Sequence, residues 1–284
     1  MNMKASVIGG MNFDVVGISD KTLMMRDSNI GKITFSAGGV GRNIAEQLAR
    51  LGAQTTLFTC VSDDFAGKML KEDAKIKHID LSHAKKSASD ASVYLSIHEP
   101  GGDMALAIND MSLIAEITPE YLKTVLVEIM KADVVVVDAN LSPESLRFIF
   151  DNVDLPIAAD PVSCAKIDRL KPYFHRLAAF KPNALEAMYV TGETDATDAA
   201  RALVKMGVKR VAVSMGEVGC VYADENGIGA LPPEKVFTCQ ANGAGDAMCA
   251  GLALGAAMGE SARDAARRGM NASSALLEER ERKQ

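Results

Sequence analysis

The sequence predicts an α/β protein: a mostly parallel central sheet with helices on both faces, three layers in all, and a small β lid. Three observations predict it. Apolar strand-like runs alternate with stretches of helical period along the chain, the pattern of a parallel sheet joined by crossover helices. The run DVVVVD (133–138) is continuous and β-branched, as a strand buried on both faces is. Two stretches, 13–37 and 90–110, break the alternation with strand-like patterns of their own.

Taken in order, ASVIGG (5–10) reads as the first strand. GRNIAEQLARLG (41–52) places Ile44, Ala45, Leu48 and Leu51 at helical spacing, and Gly52 suits the helix end. TTLFTCVS (55–62) is the next strand. SVYLSIHE (92–99) alternates Val93, Leu95 and Ile97 with Tyr94, Ser96 and His98. It is followed by the turn Pro100, Gly101, Gly102 and by MALAIND (104–110), which predicts an antiparallel hairpin with one face buried. A helix is expected over 119–132, with Thr118 as N-cap and Pro119 at the first helical position. LPIAAD (155–160), LAAFKPN (177–183) and VKRVAVSMG (208–216) continue the strand theme. The reading is one domain, 1–284, carrying a lid over a site, with no internal repeat and no linker.

Hydrophobic residues make up 48% and charged residues 24%, so the chain has the composition of a folded globular protein. The formal charge is −6 with no long basic run, which argues against nucleic acid or a membrane surface as partner. The five scattered cysteines form no CxxC pair and fit buried thiols in a reducing cytoplasm. The start MNMKASVIGG is too short and too weakly apolar for a signal peptide, and no charge-free apolar stretch of membrane-spanning length occurs.

The richest chemistry lies in NGAGDAMCAGLALGAAMG (242–259). A Gly-Ala-Gly turn leads into Asp246 and a helix of small residues. Free N–H groups and the dipole at such a helix start suit a phosphate, and a carboxylate there can take a proton from an attacking hydroxyl. The plainer reading is a capping Asp on a tightly packed helix. A second cluster, SAGGVGRNIAEQLARLG (36–52), clears side chains from a turn at Gly38, Gly39 and Gly41 and sets Asn43 on the first helical turn, where an amide can meet a polar ligand. No GxxxxGK[ST] occurs, and the glycine turn comes too late for a dinucleotide-binding first strand.

The early GGVGRNIA, the late GAGDAM, and KPNALE (181–186) between them resemble, in that order, the ribokinase-like (PfkB) carbohydrate kinases, over nearly the whole chain. Segments 27–45, 107–111, 160–163 and 214–219 resemble a branch that phosphorylates the 5′-hydroxyl of a nucleoside. The resemblance implies ATP and Mg2+ as cofactors and a small sugar or nucleoside as substrate. It implies Asp246 as base and the N–H groups of Gly243, Ala244 and Gly245 as anion hole. Asn183 and Glu186 would face the phosphates and a water-coordinated Mg2+, with Glu186 acting through water; Ser214, Gly216 and Asn242 would border the nucleotide. Asn12 and Asp14, in a loop after the first strand, would hold the ribose hydroxyls with Gly39 and Asn43. Asn140 would be a further polar contact, and Tyr94 or Asn109 on the lid would touch the base, an ordinary turn role for Asn109 standing equally open. A homodimer through the lid is also implied.

Three positions depart from that pattern. Asn242 stands where many relatives carry Thr; Gln240 stands where many carry Asp and offers a carbonyl oxygen without charge, so K+ dependence is not predicted from it. The tail SSALLEERERKQ ends soon after the helix following GAGD, so the elements that wall the nucleotide pocket are expected to be cut short and nucleotide affinity or stability weakened. Two further readings stand beside the kinase: a nucleoside-binding protein that has lost catalysis, and a hydride-transferring enzyme.

Overall fold

The computed structural model describes residues 3–237 and 241–282. In chain order, β1 (Lys4–Ile8) is followed by β2 (Asn12–Ser19), β3 (Gly31–Gly38), α1 (Val40–Arg50), β4 (Gln54–Phe58), β5 (Cys60–Val61), α2 (Phe65–Ile76), β6 (Ile79–Asp80) and β7 (Lys85–Lys86). Then come β8 (Val93–His98), β9 (Met104–Asp110), α3 (Pro119–Ile129), β10 (Val134–Asp138), α4 (Pro143–Asn152), β11 (Ile157–Asp160), α5 (Cys164–Ile167) and β12 (Leu177–Phe180). The order closes with α6 (Ala184–Thr191), α7 (Ala196–Lys205), β13 (Arg210–Ser214), β14 (Cys220–Asp224), β15 (Gly227–Leu231), α8 (Ala244–Ala257) and α9 (Ala262–Glu281).

The central sheet runs β15-β14-β13-β12-β11-β10-β1-β4-β6. It is parallel from β6 to β13, and only β14 and β15 turn back. After β1 the chain builds outward through β4 and β6, then returns to add β10 on the other side. The order therefore reverses between β1 and β10, and a parallel sheet opens a crevice at such a point, beyond its strands' carboxyl ends. The valines of β10 alternate between two cores: Val135 and Val137 meet α3–α7 through Leu122, Leu146 and Leu203, while Val134 and Val136 meet α1, α2, α8 and α9 through Ile44, Leu70 and Leu252. Both faces of the sheet are covered, as the β-branched run predicted.

Local signals are read faithfully in several places. Thr118 caps α3 by accepting the Tyr121 N–H, with Pro119 in the first turn. Gly52 takes a left-handed φ of 87° just beyond α1. The strand expected over 55–62 instead breaks at Thr59, and β5 leaves the central sheet to pair with β7.

The two irregular stretches form one four-stranded sheet, β3-β2-β8-β9. The hairpin β8–β9 is antiparallel as expected. Its apolar face is left largely exposed by the described residues. Register places Phe35, Val15, Leu95 and Ile108 in one row and Ile33, Gly17, Ile97 and Leu106 in the next, and Phe35, Ile33, Ile108 and Leu106 are 62%, 63%, 61% and 51% exposed. Ser96, expected on the solvent side, is the buried residue of β8.

The final segment is a wall in its own right. Residues 262–281 form one long helix, capped by Ser261, which lies along α8. A Cβ on Gly251 of α8 would sit 2.6 Å from the Gly269 Cα of α9, so the two backbones meet where neither residue has a side chain.

Candidate active site

The site gathers where β1, β10, β11 and β12 end and where α1 and α8 begin. Gly39 is the N-cap of α1 with φ 98°, and a Cβ there would approach the Gly10 carbonyl oxygen to 2.7 Å, so the turn needs glycine. This tight entry sets Asn43 on the first turn of α1. Gly243 begins α8, and the helix geometry puts Asp246 on its first turn without a capping bond. Asp246 instead accepts from Asn43 Nδ2 through Oδ2 at 2.9 Å. The capping reading of Asp246 is thereby replaced by a contact between two motifs 203 residues apart.

Three more ionisable groups lie under Asp246. Asp160 ends β11 and pairs with Lys181 just beyond β12, Nζ to Oδ2 at 2.9 Å, both side chains buried. Asp138 ends β10, fully buried, with Oδ1 accepting the Asn140 N–H at 2.8 Å and Oδ2 without a partner among the described residues. Burial, with the Asp160 carboxylate adding to it, pushes the Asp246 carboxyl up to about 7; the Asn43 N–H and the Lys181 ammonium pull the other way. Burial likewise raises Asp138 to about 6. Burial alone would depress Lys181, but Asp160 beside it outweighs this and holds the ammonium above its ordinary value. A carboxyl near 7 is poised to exchange a proton at neutral pH.

Two cavities flank the 241–245 turn. One, of about 500 Å³, is lined by Asn183, Ser214, Gly216, Ala244 and Gly245, with Met248, Met270 and Leu277 giving it an apolar wall. The other, of about 660 Å³, is lined by Asp14, Gly38, Asn43, Asn242 and Gly243 together with Arg42. The structure thus groups Asn183, Ser214 and Gly216 on one side of the turn and Asp14, Asn43 and Asn242 on the other. Residues of α9 wall the first cavity, so the expected shortfall in its wall is filled by this helix. Ser273 Oγ donates to the Ala244 carbonyl at 2.6 Å, and Arg280 donates to the Asn242 carbonyl, so α9 grips both ends of the turn.

Other expected residues are placed differently. Asn12 and Asp14 are not in a loop but on β2. Asn12 is buried and spends its Nδ2 donor on Asp14 Oδ1 at 2.5 Å. Asp14, whose carboxyl is raised by burial, forms one cross-strand row with Ser36, Tyr94 and Asn109. Tyr94 and Asn109 therefore share the face of Asp14, but line neither cavity. Asn140 follows β10 and accepts from Lys166 Nζ at 2.6 Å. The Ala244 N–H donates to the Ala241 carbonyl at 3.0 Å, which removes it from the expected anion hole; the helix start offers the Gly245 and Asp246 N–H groups there, since the first turn has no acceptor within the helix. Asn183 and Glu186 form a reciprocal capping box at α6, each accepting the other's N–H at 2.8 Å. Glu186 is buried, not a solvated surface carboxylate, and burial raises its pKa. Gln240 lies outside the described residues.

Asp138, Asp160, Lys181, Lys166, Ser273 and Arg42 escaped the sequence reading. Two of them had a signal: VVVVD and PIAAD both end a parallel strand on Asp, where ligand-facing groups collect. Lys181 directly precedes Pro182 and Asn183 in a motif already noticed.

Comparison with known proteins shows the family of the chain. The pfkB family carbohydrate kinase profile matches residues 2–282. A pseudouridine kinase of Escherichia coli (strain K12) is 38% identical over 255 residues, covering 87% of this chain and 82% of that protein. Among solved structures, a putative sugar kinase from Clostridium perfringens superposes with TM-score 0.83 at 28% identity, over 98% of this chain and 90% of that one. An Arabidopsis thaliana ribokinase complexed with ribose and ATP gives TM-score 0.82 at 19% identity, over 98% and 93%, a likeness of fold. The chain belongs to the pfkB family of carbohydrate kinases. It is a phosphotransferase that acts on a sugar or nucleoside hydroxyl, built on the ribokinase-like fold.

Proposed function

We propose that the chain transfers the γ-phosphoryl group of ATP to the 5′-hydroxyl of pseudouridine, giving pseudouridine 5′-phosphate and ADP. The observation that carries the chemistry is Asp246, with Oδ2 held by Asn43, beside a turn that has one cavity on each side. The substrate reading is supported by the 38% identity to a pseudouridine kinase. It is also supported by the resemblance of segments 27–45, 107–111, 160–163 and 214–219 to that enzyme type.

ATP enters the cavity of Asn183, Ser214 and Gly216, its phosphates pointing to the start of α8 past Asn242. The nucleoside sits across the turn, its ribose held by Asp14, Asn43 and the Gly39 turn, with Asn12 fixing Asp14. Asn140 adds a contact from β10, and Tyr94 and Asn109 face the base. Asp246 takes the proton of the 5′-hydroxyl as its oxygen attacks the γ-phosphorus. The bond from that phosphorus to the bridging oxygen of ADP breaks, and ADP leaves with the electron pair. The N–H groups of Gly243, Gly245 and Asp246 receive the charge that develops on the transferred group.

Mg2+ fits the donor set, because it is a hard cation that keeps most of its waters and asks for one or two carboxylates. Glu186 offers one buried carboxylate whose Oε2 is already fixed by the Asn183 N–H, leaving Oε1 for a metal-bound water. When bound, the ion would neutralise phosphate charge.

We assign the whole chain to one domain in which the sheet β3-β2-β8-β9 acts as a lid, excluding water as it closes. Its exposed apolar face pairs with the same face of a second copy. Ile108→Lys with Leu106→Lys is expected to convert a dimer to a monomer in light scattering behind gel filtration; an unchanged mass rejects this surface. Among the described residues no helix is long and apolar enough to cross a membrane. We place the enzyme in the cytoplasm, where ATP is supplied.

The substrate test is an ADP-release assay with ATP and Mg2+, offering pseudouridine beside uridine, ribose and fructose, with the product weighed by mass spectrometry. Turnover confined to pseudouridine is expected. Turnover with another acceptor discards the substrate and keeps the mechanism. No turnover from folded protein favours an acceptor outside this panel or a binder whose catalysis is impaired.

A further inference from the structure

Arg42 lies one residue before Asn43 on α1, buried to 5% exposure, although its sequence setting is that of an ordinary helix-surface cation. Its guanidinium is fully engaged. Nη1 donates to Asn43 Oδ1 at 3.0 Å and to Glu46 Oε2 at 2.6 Å, while Nε donates to Asp73 Oδ2 at 3.0 Å. Lys77 backs the cluster from the end of α2, with Nζ 2.9 Å from Glu46 Oε1. Glu46 is held below the usual carboxylate range: burial alone would raise it, but Arg42 and Lys77 outweigh that. Three contacts at fixed angles are what a planar fork of N–H donors supplies and a lysine does not.

The consequence falls on the next residue. An Asn side chain presents an acceptor oxygen and a donor nitrogen, and its two orientations cannot be told apart by shape. Here both neighbours settle the matter. Arg42 has only donors, so it must meet Oδ1. The ionised Asp246 has only acceptors, so it must meet Nδ2, at 2.9 Å. A flipped amide would set oxygen against carboxylate and N–H against guanidinium, losing both bonds.

We propose that Arg42 is a positioning residue for phosphoryl transfer: it locks the Asn43 amide in the one orientation that donates to Asp246 Oδ2, so that Oδ1 of Asp246 faces the acceptor hydroxyl. The proposal rests on the reading of Asp246 as the base. Glu46 and Asp73 hold Arg42, Arg42 holds Asn43, and Asn43 holds Asp246. The charge of this guanidinium also acts on Asp14, partly offsetting the rise that burial gives its carboxyl. Asp160, Lys181 and Asp138 face Asp246 from the sheet side.

The test compares wild type, Arg42→Gln, Asn43→Ala and the double variant. With ATP and pseudouridine saturating, Arg42→Gln is expected to lower kcat by about 30- to 100-fold, as misplacement of a reacting group does, with KM for ATP nearly unchanged. The double variant should lose no more than Asn43→Ala alone, because one residue acts through the other. Losses that multiply, or a wild-type kcat in Arg42→Gln, overturn the proposal. A second readout needs no substrate. In protein carrying 13C at aspartate Cγ, the Asp246 titration, assigned with Asp246→Asn, should move to higher pH in Arg42→Gln and in Asn43→Ala, since each removes a fixed N–H that favours the carboxylate. An unmoved midpoint overturns the proposal whatever the activity. A moved midpoint in a protein that turns over nothing supports the relay and counts against the kinase assignment instead. If Arg42→Gln does not fold, Arg42→Lys keeps the charge beside Glu46 and Asp73 but lacks the fork; the same shift is expected, and its absence overturns the proposal.

Discussion

Asp246→Asn is expected to lower kcat by about 1,000-fold, the range that a positioned general base commands, while ATP and nucleoside binding measured by calorimetry stay close to wild type. The substitution keeps the shape and the contact to Asn43, because an Asn oxygen can still accept the Nδ2 hydrogen. What disappears is the proton acceptor. Near-normal turnover removes Asp246 from that role. The pH profile carries a second signature. Burial and Asp160 raise this carboxyl from 3.8 to about 7, so kcat/KM in wild type should rise about tenfold per pH unit below 7 and level off above it. Stability moves the opposite way. The folded state binds this proton more tightly than the unfolded chain does, so the contribution is full below the unfolded value of 3.8 and is lost as pH rises through about 7. Asn does not titrate. The melting temperature of Asp246→Asn should therefore gain on that of wild type between pH 4 and pH 8; a gap that stays constant over this interval argues against a raised carboxyl.

Gly251→Leu is expected to cost about 3 kcal/mol, the upper end for overpacking a filled contact. The Cβ alone would lie 2.6 Å from Gly269 Cα and 2.8 Å from the Arg268 carbonyl oxygen, both backbone atoms that cannot swing aside. Leu is the better helix former, so propensity opposes the loss and only the α8–α9 contact explains it. Separation of the helices would also pull Ser273 from Ala244, and ATP affinity should fall with stability. Differential scanning calorimetry and nucleotide titration check both. A melting temperature like that of wild type would mean the helices do not meet there.

The layered architecture was legible because central strands such as β10 and β12 are apolar runs and helices such as α1 and α7 carry one apolar stripe. DVVVVD announces burial on two faces, and Val134 through Val137 are all buried. Thr118 with Pro119 announces a helix start through local chemistry that needs no tertiary partner. The hairpin at 93–110 shows where such reading ends. Alternation revealed that one face is apolar, but period 2 cannot say which surface covers it, and the described residues leave it largely exposed. The site divides in the same way. Glycine turns and Asp246 stand out in sequence because backbone geometry demands particular residues there. Arg42 does not, because its role comes from distant segments converging in space: Asp73, 31 residues away, on Arg42, and Asp246, 203 residues away, on Asn43. The capping box at α6 was hidden for another reason: Asn183 followed by Glu186 three residues on is a helix-start signature as well as a phosphate-site motif.

The hold that Ser273 and Arg280 exert on the 241–245 turn has a bearing on how the chain acquires activity during its synthesis. Translation delivers β1, α1, the whole parallel sheet and finally Asp246 before the residues that steady the turn exist. A nascent chain halted before residue 262 can hold Asp246 and its contact to Asn43, yet its 241–245 turn has no Ser273 on Ala244 and no Arg280 on Asn242, and the cavity beside Asn43 lacks the Leu276 part of its wall. On the function proposed above, phosphoryl transfer therefore waits for α9 to emerge from the ribosome and does not build up gradually as the sheet is laid down.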